Sequence, residues 1–99
     1  MRTSKTGTGD SSYIDFEQGD YNSVYIGSSS WGSGSASLLY SPDGILPGAV
    51  IKYDDLTSVT VTANTVLEMK PSDGKLGVRI TGDNITVTLD IKGKLNFFN

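Results

Sequence analysis

Apolar and polar residues alternate one by one along much of the second half of the chain. The apolar positions of the two clearest segments are Leu76, Val78 and Ile80, followed by Ile85, Val87, Leu89 and Ile91. Successive side chains of a β-strand point to opposite faces, so this period of two predicts two strands. Each strand should have one face on a core and the other in water or on a partner.

Weaker alternation predicts six more short strands. They cover residues 13–16, 24–26, 36–41, 49–53, 58–62 and 65–70. The strongest turn signals are 41–44 (Ser-Pro-Asp-Gly) and 71–74 (Pro-Ser-Asp-Gly), because proline presets φ and glycine tolerates positive φ. About seven to eight short strands separated by turns predict an all-β chain, a single small antiparallel β-sandwich. Jelly-roll-like and immunoglobulin-like topologies both remain open.

The composition supports one small domain. The chain has 99 residues, of which 12 are glycine and 36% are hydrophobic, which suits short strands and tight turns better than long helices. Residues 1–12 are mostly Thr, Ser and Gly, with little apolar surface to offset the entropy of ordering. We therefore expect a flexible N-terminal arm at 1–12, either frayed or ordering on a neighbouring subunit, and the sandwich domain at 13–99.

The residues of common active sites are missing from the sequence. There is no histidine and no cysteine, which removes the usual general base, thiolate nucleophile and zinc ligands. The adjacent acids Asp54 and Asp55 point in different directions along a turn-like segment, and the oxygens of 15–20 lack the spacing of a calcium loop. We expect a non-enzyme with no catalytic residue, no cofactor and no metal.

Charge is unevenly distributed along the chain. The formal net charge is −3, and no Lys or Arg occurs between residues 6 and 51, where five acids lie. An acidic stretch of this kind repels phosphate, so nucleic acid is not expected as a partner. No apolar run has the length of a membrane span, so no membrane contact is expected. The acidic stretch either keeps the protein soluble or faces a basic partner surface.

A few exposed-looking residues are candidates for partner contacts. They are Arg2 and Lys5 in the arm, Trp31 in a Gly/Ser-rich loop, and Phe97 and Phe98 in the C-terminal tail. Adjacent strand residues point to opposite faces, so one of the two tail phenylalanines should remain outside the core. As an alternative, Trp31 and tyrosines 21, 25, 40 and 53 could stack on sugars, which indicates a carbohydrate- or receptor-binding module of a tail or cell surface.

A series of turns and strands over residues 34–91 resembles a known group of proteins. The matching stretches are 34–44 (GSASLLYSPDG), 55–57 (DLT), 62–65 (TANT), 77–82 (GVRITG) and 85–89 (ITVTL). They resemble small β-sandwich virion proteins of tailed bacteriophages, such as capsid decoration proteins, head fibres and tail components. The chain departs from that group at 45–47, where Ile-Leu-Pro stands in place of the tryptophan that often follows the Asp-Gly turn.

The resemblance implies a structural role in the virion. The expected function is that of a capsid decoration (cement) protein, assembled in the host cytoplasm. The expected partners are the major capsid protein, other virion proteins and further copies of the same chain in a homotrimer. Many weak contacts on a shell add up through multivalency without any catalytic centre.

Overall fold

The computed structural model describes residues 1–52 and 58–95, which form ten β-strands and no helix. The strands are β1 (Arg2–Thr6), β2 (Gly9–Asp10), β3 (Ile14–Asp15), β4 (Tyr21–Gly27), β5 (Ser35–Ser41), β6 (Ala49–Val50), β7 (Thr60–Val61), β8 (Thr65–Met69), β9 (Lys75–Thr81) and β10 (Thr86–Lys94). The all-β prediction is confirmed.

The strands form two antiparallel sheets packed into a sandwich. Sheet I has the order β1-β10-β4-β8, and sheet II has β2-β9-β5-β6. In sheet II, β3 also pairs with β9 and β7 also pairs with β5. Strands β2 and β3 lie one after the other along β9, and β6 and β7 lie one after the other along β5. Each sheet is therefore four strands wide.

The strand pairing defines a jelly roll. Strands from the first half of the chain pair with strands from the second half: β1 with β10, β2 and β3 with β9, and β4 with β8. Strand β5 pairs with β6 and β7 beyond the loop at 42–48. Successive pairs fall alternately on sheet I and sheet II, so the chain behaves as a ribbon folded in half and wrapped around the core. Of the two predicted topologies, this is the jelly-roll-like one.

The core lies between the sheets and follows the alternation of the sequence. Its fully buried side chains come from β4, β5, β9 and β10, and they are Val24, Ile26, Ala36, Leu38, Leu76, Val78, Ile80, Val87, Leu89 and Ile91. On β8, Leu67 is half-buried while its neighbour Val66 is exposed, as the pattern predicts. Period-two alternation therefore identified the inward face of the regular strands correctly.

Residues 1–12 differ from the flexible arm that the sequence predicts. Arg2–Thr6 is strand β1 at the edge of sheet I, and Gly9–Asp10 is strand β2 at the edge of sheet II. Hydroxyl pairs replace apolar contacts along β1, with Ser4 Oγ 2.9 Å from Thr88 Oγ1 and Thr6 Oγ1 2.9 Å from Thr86 Oγ1. An edge strand is held by main-chain and cross-strand polar pairs, so it needs little apolar surface.

Candidate functional site

The titratable groups with shifted pKa values hold loops in place. The pKa of Glu17 is lowered by the N-terminal ammonium group and by the amide of Gly93, which donates to Glu17 Oε1 at 2.9 Å. The pKa of Asp83 is lowered by the amides of Ser33 and Asn84. These shifts arise from hydrogen bonds to the ionised carboxylates, which fasten one segment to another.

Two acids of the first half, Asp10 and Asp15, are paired with bases of the second half. Arg79 Nε donates to Asp10 Oδ1 at 2.7 Å, and Lys75 forms an ion pair with Asp15. The folded-ribbon topology causes this, because it places β2 and β3 directly beside β9. The uneven distribution of charge along the sequence is thus partly neutralised within the fold.

The acidic segment at 15–20 is engaged in contacts within the chain. Asp15 is paired with Lys75 and Glu17 with Met1 N and the Gly93 amide, so their oxygens do not converge. Within residues 1–52 and 58–95, no three His, Cys, Asp or Glu side chains are grouped so that they could hold a metal ion. The described part of the chain also contains no helix long and apolar enough to cross a bilayer.

The predicted contact residues that the structure describes lie in β1 and in the loop between β4 and β5. Arg2 donates to Asp90 Oδ2 at 3.0 Å, and Lys5 Nζ donates to the carbonyl of Thr6, both from β1. Trp31 is half-buried against the core at the loop between β4 and β5. The other residues considered from the sequence lie outside the described part of the chain, namely Phe97, Phe98, Tyr53, Asp54 and Asp55.

The tyrosines that the sequence offered as sugar platforms have different surroundings. Tyr40 packs partly against the core from β5. Tyr25 lies on the outer face of sheet I, where a side chain on Gly27 would overlap its ring. Tyr25 is 37% exposed, so part of the residue remains accessible to solvent. Tyr21, four positions earlier on β4 and on the same outer face, is half-buried, so Tyr25 is the exposed one among the described platform tyrosines.

The loop between β5 and β6 presents two apolar side chains to solvent. Ile45 is 87% exposed and Leu46 is 54% exposed. Asp43 Oδ1 accepts both of their amides, at 2.8 and 2.9 Å, which lowers the pKa of Asp43. Ser41 Oγ donates to the Leu46 carbonyl at 2.8 Å and accepts the Gly44 amide at 3.0 Å. Side-chain hydrogen bonds therefore order the loop without burying its apolar tip.

This apolar tip is not among the contact residues that the sequence predicts. The sequence predicts the turn at 41–44, but Ile45 and Leu46 enter there only as part of the Ile-Leu-Pro stretch that departs from the virion pattern. The signal that would have found it is the position of two large aliphatic residues between Asp43-Gly44 and Pro47-Gly48. Side chains in a connection between two turns run over the surface more often than strand residues do, which makes such a pair a candidate for exposure.

The fold and the surface together define a class: a small antiparallel jelly-roll sandwich with ordered polar loops and an exposed aliphatic tip. No family model matches the chain, and neither the curated proteins nor the solved structures contain a match.

Proposed function

We propose that this chain is a non-enzymatic structural protein of a tailed-phage virion, and specifically a capsid decoration protein that binds the major capsid shell. The jelly-roll topology supports the proposal, because that architecture recurs in viral capsid domains, although it also occurs in lectins. This is an analogy at the level of the fold. The resemblance of residues 34–91 to small virion sandwiches supports it independently.

The observation that carries the proposal is the ordered apolar tip formed by Ile45 and Leu46. A contact loop that is already fixed by Asp43 and Ser41 loses little conformational entropy when it binds. Burying two aliphatic side chains gains roughly 25 cal/mol per Å² of apolar surface. A contact of this size is weak alone, and it becomes effective when many copies attach to one shell.

The other contact residues proposed from the sequence are Arg2 and Lys5 near the N-terminus and Phe97 and Phe98 near the C-terminus. Arg2 and Lys5 lie in strand β1, so they act as parts of a sheet edge rather than of a free arm. Phe97 and Phe98 stay a prediction, as does the homotrimer, which light scattering of the purified chain would measure. A trimer would enlarge the contact surface, because each copy would bring its own tip to the shell.

The test measures the abundance of the chain in purified phage particles released from cells that carry its gene. Quantitative mass spectrometry should find it in fixed stoichiometry with the major capsid protein. The double variant Ile45→Ser/Leu46→Ser should lower its copy number at least about tenfold. The matched control is Val66→Ser, which removes an apolar side chain of 60% exposure from sheet I and should leave the copy number unchanged.

Two results would overturn the proposal. The first is a chain that stays entirely in the particle-free fraction. The second is a tip variant that remains in particles at the level of the Val66→Ser control.

A further inference from the structure

We propose that a depression on the outer face of sheet I binds a neutral sugar ring stacked on Tyr25. This inference does not depend on the virion proposal. The depression has a volume of about 360 Å³ and lies beside Gly27. Its other lining residues are Arg2, Tyr25, Ser28, Ser29, Asn64 and Thr88. They combine one aromatic ring with hydroxyl, amide and guanidinium groups, which is the chemistry that recognises a sugar.

Tyr25 provides the stacking surface. It projects from β4 on the side opposite the core, between Asp90 of β10 and Val66 of β8. One face of its ring lies over Gly27, where any larger residue would push the ring away. Tyr25 is 37% exposed, so part of the residue remains accessible. A ring already packed against the sheet binds with little loss of side-chain entropy, which favours stacking against the C–H face of a pyranose.

Asn64 provides oriented hydrogen-bond donors at the edge of the same depression. Its Oδ1 accepts the amide of Ser28 at 2.9 Å and the indole Nε1 of Trp31 at 2.8 Å. The amide of Ser28 and the indole of Trp31 both donate to Asn64 Oδ1, so the orientation of the Asn64 side-chain amide is set. Its N–H groups therefore point away from those two donors. Trp31 thus acts as a positioning residue through Asn64, in contrast to the direct stacking role considered from the sequence.

The charge of the depression favours a neutral ligand. Among the described residues that line it, Arg2 alone is charged, and that guanidinium is paired with Asp90 at 3.0 Å. The lining hydroxyls and the Asn64 amide are uncharged and suit sugar hydroxyls, which both donate and accept. A sulfated or sialylated glycan would have to compete with Asp90 for Arg2. We therefore assign the depression to an uncharged saccharide.

The experiment begins with a glycan array that carries both neutral and acidic saccharides. A neutral saccharide retained on the array is then titrated into the ¹⁵N-labelled chain, and amide shifts should concentrate at Tyr25, Ser29 and the Asn64 side chain. Tyr25→Leu keeps Gly27 covered but removes the aromatic face. It should weaken binding about tenfold or more.

A second variant keeps the test decisive even when Tyr25→Leu does not fold. Ser29→Leu places a bulky side chain at an exposed loop position and should block the depression to a similar extent. Its matched control is Ser12→Leu, an equally simple change at an exposed position between β2 and β3 of sheet II, which should bind as the wild type does.

Three outcomes would overturn the inference. One is an array on which no neutral saccharide is retained. Another is retention of acidic glycans alone, which would contradict the assignment of an uncharged ligand. The third is a Ser29→Leu variant with the same affinity as Ser12→Leu, which would place binding elsewhere on the surface.

Discussion

The outer faces of the two sheets each carry a tyrosine beside a strand glycine, yet one arrangement is closed and the other is open. On sheet II, Tyr13 lies close to Gly77, and the neighbouring Leu39 is 0% exposed although it points away from the main core. On sheet I, Tyr25 lies over Gly27 and stays in part exposed. A tyrosine beside a strand glycine is thus part of a packed outer cluster on sheet II and part of an accessible depression on sheet I.

The difference comes from what folds over each tyrosine. The loop after β5 returns across sheet II, where a side chain on Gly48 would overlap the Tyr13 hydroxyl and Gly44 lies beside the Tyr13 Cβ. On sheet I, the depression beside Tyr25 is bordered by loop residues such as Ser28 and Asn64 without being filled by them. A covered tyrosine contributes to stability, whereas an uncovered one is free to contact a ligand.

The largest expected effect is on the closed face. Leu39→Ala should lower the free energy of unfolding by about 2–5 kcal/mol, because it leaves a cavity beneath Tyr13 in a fully buried site. The control on the open face is Val66→Ala, which should change the free energy of unfolding by no more than about 0.5 kcal/mol. Urea denaturation measures both. Equal losses of unfolding free energy for Leu39→Ala and Val66→Ala would contradict the distinction between a closed and an open outer face.

A smaller loss of stability should appear when the loop over the closed face loses the charge of Asp43, whose carboxylate accepts two of the loop's amides. The pKa of Asp43 is lowered in the fold by the Leu46 and Ile45 amides. Its contribution to stability is therefore present above its ordinary value of 3.8 and lost as the pH falls through the lowered folded value. Glu17 and Asp83 act in the same direction.

Melting temperatures measured from pH 7 to pH 2 check this expectation. The wild type should lose stability on acidification, and Asp43→Asn should begin less stable and lose less. The control is Asp73→Asn, a change of an exposed acid in the turn before β9, which should follow the wild-type curve. An Asp43→Asn curve parallel to the wild type would contradict the anchoring role.

The smallest effect is expected on the open face itself. Arg2→Gln removes an ion pair with Asp90 in which the Arg2 side chain is 68% exposed. An exposed pair of this kind contributes about 0–1 kcal/mol and is screened by salt. Urea denaturation at low and high salt should show a difference between wild type and variant that shrinks as salt is added. A loss as large as that of Leu39→Ala would mean that β1 depends on this pair.

Much of the fold could be predicted from the sequence because the regular strands carry their own pattern. The stripes at 76–80 and 85–91 are buried as predicted, and the turn at 41–44 lies where Pro42 and Gly44 indicated. Period-two alternation is a local property, since each side chain's face is decided by its neighbours in the same strand. The candidate surfaces are less evident from a local pattern, because the burial of Trp31 and the exposure of Ile45 depend on how their loops pack.

Strands β1 and β2 could not be predicted from the sequence, because they depend on contacts with residues far away in the chain. The depression at Tyr25 depends on contacts of the same kind. The stability of the two strands comes from partners about eighty residues away, such as Thr86 opposite Thr6 and Ile80 opposite Gly9. A stretch of Ser, Thr and Gly has the same composition whether it is free or paired at a sheet edge. Composition alone therefore indicated an arm where the chain forms two edge strands.

The sequence by itself determined that the chain is all-β, which faces of its regular strands turn inward, and where its tightest turns lie. These follow from alternation and backbone preferences within a few residues. Only the tertiary structure decided that the first half pairs with the second as a jelly roll, that Asp10 meets Arg79, and that Tyr25 is open while Tyr13 is covered. Those outcomes depend on contacts between residues far apart in the chain, and no local pattern encodes which distant strand will arrive beside which.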